Sequence, residues 1–408
     1  MNFMKTYTAI SLTLLMLMLM LMLMLFRGSS DADPLDNWVT VTSGTNDWLH
    51  DITYGGGKFV IVGASGTVLT SPDGVAWTKT SGDSHLLYGL GFGNNTFVAV
   101  GALGRVLTSP DGITWTLRRA GQAHPLSHDL FGVAYGVIGG VPTFVAVGGH
   151  GTTLSSIDNG ITWYSQESGT VNWLYEIIYK NSLFVDVGAY GTTLWSTNGA
   201  NWYPGTSNTN NHLLGVAYGN AIFVAVGEAG TILTSDDGVT WTVQPPLDPE
   251  WLRQITLRGI TYDNGTFAAV GDYGTLITSP DGINWTVRNS GTTRDLERIA
   301  YGSAFVAVGG FGTIVLDGES IPTNPVRISQ PYEVFFATIQ AAYNNATSGD
   351  VDSMALHFTE DLNFNSDKSV ILKGGYNSTF SDNPSYTTVN GSLTISNGTV
   401  TVENLIIQ

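Results

Sequence analysis

Phe59-Val60-Ile61-Val62-Gly63 returns as Phe97-Val98-Ala99-Val100-Gly101, and again from Phe144, Phe184, Phe223, Phe267 and Phe305. Each copy is followed by a run like Gly230-Thr231-Ile232-Leu233 and preceded by one like Leu49-His50-Asp51-Ile52-Thr53-Tyr54. Six of the seven then reach a tryptophan: Trp77, Trp115, Trp163, Trp202, Trp241 and Trp285. Apolar alternation, with β-branched and aromatic residues between Gly, Asn and Asp turns, reads as strands and not helices. Each repeat therefore holds four strands, termed a to d here. A period of about 40 residues built this way is one propeller blade per repeat. The expected fold is all-β, a seven-bladed β-propeller over residues 36–318, followed by a small C-terminal β-helix-like module.

The seventh copy, Leu296 to Leu316, has no tryptophan strand of its own. Asn37-Trp38-Val39-Thr40 precedes the first copy, with Gly44 six residues after Trp38, as Gly291 follows Trp285. Trp38 is thus expected to supply strand d of blade 7 and close the ring, which removes an open sheet edge. Two insertions lengthen loops, Val137–Pro142 in blade 3 and Pro245–Thr256 before blade 6.

The 50 glycines are periodic and mark turns, not disorder. Charged residues are only 12% of the chain, yet the net charge is −17. Such a balance disfavours nucleic acid, whose phosphates need Lys and Arg. There is no cysteine, so disulfides, thiolate metal sites and cysteine nucleophiles are excluded. Residues 1–32 read as a signal peptide or an N-terminal anchor. Lys5 gives a positive start, Ala9–Phe26 an apolar tract, and Ser30-Asp31-Ala32 a small-x-small cleavage site. The propeller is expected outside the cytosol, periplasmic, cell-surface or extracellular, and on a membrane only through an uncleaved anchor.

Between strands c and d sits a fixed turn. Blade 3 has Ser156-Ile157-Asp158-Asn159-Gly160 before Trp163. A shorter form carries Asp73, Asp111, Asp237 and Asp281, each followed by Gly, while blade 4 has Asn198-Gly199. Asp accepts backbone N–H groups in such a turn and Gly takes a positive φ, so these residues are read as structural. A catalytic pair would not recur identically in every blade.

The Ser-x-Asp-x-Gly-x-Thr-Trp spacing resembles the Asp-box, or BNR, repeat. With the Phe-Val-Ala-Val-Gly and Gly-Thr-Ile-Leu-Thr-Ser runs, residues 36–318 resemble secreted bacterial BNR propellers related to photosystem II assembly and stability factors. That resemblance implies a protein-binding scaffold. Its members hold their partner on an arginine-rich surface. Here the propeller arginines, Arg105, Arg118, Arg119, Arg253, Arg258, Arg288, Arg294 and Arg298, are scattered over several repeats.

Asp-box propellers also include sialidases and other glycoside hydrolases. No arginine recurs at one blade position as a sialidase triad requires. A glycosidase needs two facing carboxylates, and strand a offers Asp51, Glu176 and Glu297. No catalytic residue, metal ligand set or cofactor is assigned.

The d–a and b–c loops of a propeller share one face, and there the copies differ most. The candidate binding residues are Trp48, His85, His128, Trp173, Tyr190, His212, Trp251 and Tyr273. Aromatic rings beside carboxylates and amides suit a glycan or protein partner. The leading reading is a non-enzymatic exported binding or scaffold propeller. The alternatives are an Asp-box glycoside hydrolase and an assembly factor for an envelope or photosynthetic membrane complex.

Ile321-Pro322-Thr323-Asn324-Pro325 marks a linker, taken as 319–331. Ala337 to Ala346 reads as a short helix, and strands follow at 369–372, 391–395 and 399–402. Thr338-Ile339-Gln340-Ala341-Ala342 and Leu372-Lys373-Gly374-Gly375-Tyr376 resemble the capping helix and first rungs of a pectate-lyase-like parallel β-helix, over residues 332–408.

Overall fold

The computed structural model describes Leu35 and residues 38–81, 84–120 and 128–317. Beyond the propeller it describes 326–328, 334–336, 338–346, 349–354, 357–376 and 386–407. The leader expected at 1–32 lies outside the described residues.

Seven antiparallel four-stranded sheets form the blades of one ring. Blade 1 is Leu49–Gly55, Lys58–Gly63, Thr67–Ser71 and Thr78–Ser81. Blade 7 is Leu296–Tyr301, Phe305–Gly309 and Ile314–Asp317, completed by Trp38–Val41. The N-terminal strand pairs Trp38 with Asp317 and Val41 with Ile314, as the missing seventh tryptophan implied. The inner strands of blades 1 and 7 touch, so the ring is closed. Blades 2 and 3 are also joined outside, where Thr162 and Trp163 pair in parallel with Arg119 and Ala120.

Each blade is sandwiched between two others, so strand b is buried on both faces. That is why it reads as an unbroken apolar run and not an alternating one. Its phenylalanine is at most 1% exposed in all seven copies. The ring five residues after the strand a leucine packs on that phenylalanine, with centroids 4.5 to 5.0 Å apart. Each such pair adds about 0.5–1.5 kcal/mol beyond area burial.

In the C-terminal part the helix is Ile339–Asn345. Thr338 caps it by accepting from Ala341 N–H at 3.0 Å. Glu360 accepts from Ile339 and Gln340 N–H at its N-terminus, and Lys368 donates to Tyr343 and Ala346 carbonyls at its C-terminus. Both charges complement the helix dipole. Three parallel ladders follow. Gly349–Met354 pairs with Ser369–Tyr376 and that with Thr399–Glu403. His357–Thr359, Thr387–Asn390 and Leu405–Ile407 stack likewise, as do Leu362–Phe364 and Leu393–Ile395. The linker expectation needs one correction. Val326–Ile328 falls inside 319–331, yet it pairs with Val334–Phe336 and Gly349–Met354, so this sheet begins earlier than composition suggested.

Candidate functional site

Strands alternate in direction, so the c–d turns lie on one face and the b–c turns on the other. On the first face the aspartates hold turns. Asp111 Oδ1 accepts from Ile113 and Thr114 N–H at 2.8 and 2.7 Å. Ser109 Oγ donates to it and accepts from Gly112 N–H, and Trp115 Nε1 donates to the Gly112 carbonyl. Asp73, Asp237 and Asp281 repeat the two N–H bonds, and Asp158 makes them to Ile161 and Thr162. Asn198 does the same for Ala200 and Asn201. The N–H groups of Thr114 and Ile113 pull the Asp111 carboxyl down to about 2.

The opposite face is built differently. The first residue of each b–c turn donates its N–H to the residue before strand a, as Ala64 does to Trp48 at 2.8 Å and Ala189 to Trp173 at 2.8 Å. This ties the two loop sets into one rim. The central turn residue is left-handed in every blade: Ser65, Leu103, His150, Tyr190, Ala229, Tyr273 and Phe311 all have φ of 55–56°. A non-glycine residue held there costs about 1–2 kcal/mol, yet the side chain varies freely. The turn thus presents whatever residue the repeat carries. Leu103, Tyr190, Tyr273 and Phe311 are 62%, 66%, 73% and 61% exposed.

Inside the rim, a bulge follows the first leucine of every strand a. The residue after that leucine faces the channel: His50, Tyr88, Phe131, Tyr175, Leu214, Arg258 and Glu297 line one mouth of about 210 Å³. Blades 1 to 4 supply an aromatic arc, with centroids at 5.3, 5.4 and 5.8 Å from His50 through Tyr88 and Phe131 to Tyr175. Blades 6 and 7 supply charge. Arg258 Nε donates to Asp272 at 2.6 Å, and Glu297 accepts from Trp48 Nε1 at 3.0 Å.

One residue deeper, blades 2, 3, 5 and 6 carry Gly89, Gly132, Gly215 and Gly259. A Cβ on Gly89 would lie 2.3 Å from the Phe131 carbonyl oxygen and one on Gly259 2.6 Å from that of Glu297, too close for a side chain, while one on Gly132 or Gly215 would meet backbone at 3.1 or 3.2 Å. The remaining blades fill the freed space with Asp51, Glu176 and Arg298. Arg298 Nε reaches across from blade 7 to Glu176 of blade 4 at 3.1 Å, and Arg298 Nη1 donates to the Arg258 carbonyl. Asp51 accepts from Ile52 and Leu90 N–H at 2.8 and 2.6 Å. Burial, and then the Glu176 charge, push the Asp51 carboxyl up; burial does the same to Glu176. Burial, with Arg298 nearby, lowers His50 to about 4, so it stays neutral. Asp186 is fully buried, has no hydrogen-bond partner for either oxygen, and is pushed well up by burial and by Glu176.

The structure gathers part of the expected binding set. Trp173 stacks on Phe131 at 5.4 Å and lies 6.2 Å from His150, which in turn lies 4.6 Å from His128. His212 lies 4.9 Å from Tyr190 and 6.1 Å from Tyr175. Trp48 sits across the mouth against Phe311 at 5.9 Å. His85 is bound to Arg105, Tyr273 stands on the rim, and Trp251 is on the separate turn Glu250–Gln254. A groove of about 870 Å³ runs from His128 past Glu167 to Asn172 and is lined mostly by hydroxyls and amides. Sequence reasoning missed Tyr88, Phe131, Tyr175 and Asp186. The first three were signalled only by their place after the strand a leucine. Among the described residues, no group of three or more His, Cys, Asp or Glu could hold a metal ion.

Several solved structures share the architecture. YCF48 bound to D1 peptide is 17% identical with a TM-score of 0.57, over 72% of this chain and 100% of that one. YCF48 from Cyanidioschyzon merolae is 15% identical with a TM-score of 0.55, over 69% and 98%. Virginiamycin B lyase from Staphylococcus aureus, in selenomethionine form, is 9% identical with a TM-score of 0.58, over 69% and 98%. No family model and no curated protein matches the chain. At these identities the likeness establishes the seven-bladed propeller fold.

Proposed function

We propose that this chain is an exported, non-enzymatic scaffold that binds an extended protein segment on its b–c loop face. One observation carries the reading. Leu103, Tyr190, Tyr273 and Phe311, from blades 2, 4, 6 and 7, are each more than 60% exposed on equivalent turns of one face. Aromatic side chains are favoured anchors of protein interfaces. A fold neighbour, YCF48, is bound to D1 peptide, which supports a protein partner over a glycan. The Lys5 and Ala9–Phe26 pattern supports export.

A hydrolase would need two carboxylates free to meet a glycosidic bond. Glu176 is held by Arg298, Asp51 by two backbone N–H groups and Glu297 by Trp48. This favours binding over catalysis. The C-terminal ladders fit a β-helix-like module that serves attachment.

Selection from a displayed random-peptide library tests the proposal. Sequences bound by the wild type should be lost by a variant carrying Leu103→Ser, Tyr190→Ser, Tyr273→Ser and Phe311→Ser. No enrichment, or equal retention by that variant, would refute it.

A further inference from the structure

We propose that the channel mouth is a receptor for one aromatic side chain bearing a hydrogen-bond donor, a tyrosine or tryptophan of the bound segment. This rests on the peptide-binding reading of the loop face and names the residue that anchors there.

Size is the first argument. The mouth of about 210 Å³ is smaller than the ~300 Å³ at which small-molecule pockets begin. It equals the room of about seven waters at ~30 Å³ each, which suits a single side chain. Its outlet is the second argument. A depression of about 350 Å³ shares Tyr175 with the mouth and continues outward over Trp173, Tyr190 and His212. A chain anchored in the mouth can leave along it toward the rim.

The walls then choose the side chain. On one side Tyr88, Phe131 and Tyr175 stand at spacings suited to offset or edge packing against another ring. On the other are the guanidinium groups of Arg258 and Arg298, which attract a ring face. Both are already neutralised, Arg258 by Asp272 at 2.6 Å and Arg298 by Glu176 at 3.1 Å. A cationic side chain would find Asp272 and Glu176 already taken by these arginines. A carboxylate would meet Glu297 beside arginines already paired. A neutral ring satisfies both walls. Glu297 Oε1 accepts from Trp48, and the carboxylate keeps lone pairs for a phenol or indole donor. His50, held neutral, adds no charge to this balance.

The test is titration of the whole chain with N-acetyl-L-tryptophanamide, N-acetyl-L-tyrosinamide, N-acetyl-L-leucinamide and N-acetyl-L-lysinamide, followed by NMR. The two aromatic amides should saturate at least fivefold tighter than the other two. Leu214→Trp, which fills the mouth from blade 5, should weaken them at least tenfold with an unchanged melting temperature. If that variant does not fold, Phe131→Leu replaces it in the same comparison. Equal binding of the leucine or lysine amide, no binding at all, or indifference to the mouth variant would overturn the proposal. The library-selected peptides are titrated into the same wild-type protein alongside the amides. Amide binding without any peptide binding would therefore sink the peptide reading alone, and peptide binding without aromatic preference would sink only this one.

Discussion

Asp186 stands where five other repeats place alanine and one an isoleucine. Burying a polar group without a partner costs about 1–3 kcal/mol, so Asp186→Ala should raise stability by about that much. The pH dependence has a definite sign. The folded carboxyl is raised well above 3.8 by burial and by Glu176. Its proton stabilises the fold below the unfolded value, and that contribution is lost as pH rises through the folded value. Urea unfolding should show the gap between variant and wild type widening from pH 4 toward neutrality; a gap that narrows would contradict this. The turn aspartates behave in the opposite sense. The Asp111 contribution is present above its unfolded value near 4 and lost as pH falls through about 2. Asn198 makes the same two N–H bonds without a charge. Asp111→Asn should therefore cost much less than Asp111→Ala, which should lose about 1–2 kcal/mol as a lost cap does. Equal losses in denaturant unfolding would show that charge, not turn geometry, matters.

At the scale of elements, closure rests on the four residues Trp38–Val41. Trp38 is 6% exposed, lies 6.4 Å from Phe305, and donates Nε1–H to the Leu35 carbonyl. Trp38→Ala should cost about 3–5 kcal/mol and speed proteolysis of blade 7 over that of blade 4. Uniform proteolysis would argue that inner-strand contacts alone hold the ring. This closure was legible because strand d is a short motif with fixed spacing, so its absence at one end and presence at the other could be matched. The channel mouth was not legible. His50, Tyr88, Phe131, Tyr175, Leu214, Arg258 and Glu297 include six residue types at one repeat position. Only the bulge after each strand a leucine turns that position inward; its mark is the three-residue step from Leu49 to Ile52 where strict alternation gives two, and that step does not say which side chains meet in the channel. The departure at Asp186 was visible in Phe184-Val185-Asp186-Val187, but reading the copies as equivalent passed over it. The linker boundary failed for a related reason. Proline at 322 and 325 signalled a break, and pairing of Val326–Ile328 depends on residues more than twenty positions away.

For the whole molecule, the repeat divides labour between faces. The c–d face spends its polar residues on turns common to the blades. The b–c face keeps a common, strained backbone and varies only its side chains, around a mouth floored by the Arg298–Glu176 pair. With a net charge of −17, long-range attraction should favour a partner segment with basic residues flanking its apolar anchor, so its association rate should fall as salt rises. A rate independent of salt would show that the rim alone guides encounter. The most direct measurement is calorimetric titration of a library-selected peptide into wild type and into the variant with serine at Leu103, Tyr190, Tyr273 and Phe311. Saturable binding to the wild type and at least a hundredfold loss in the variant, with an unchanged melting temperature, are expected. Equal affinity for both proteins would contradict this.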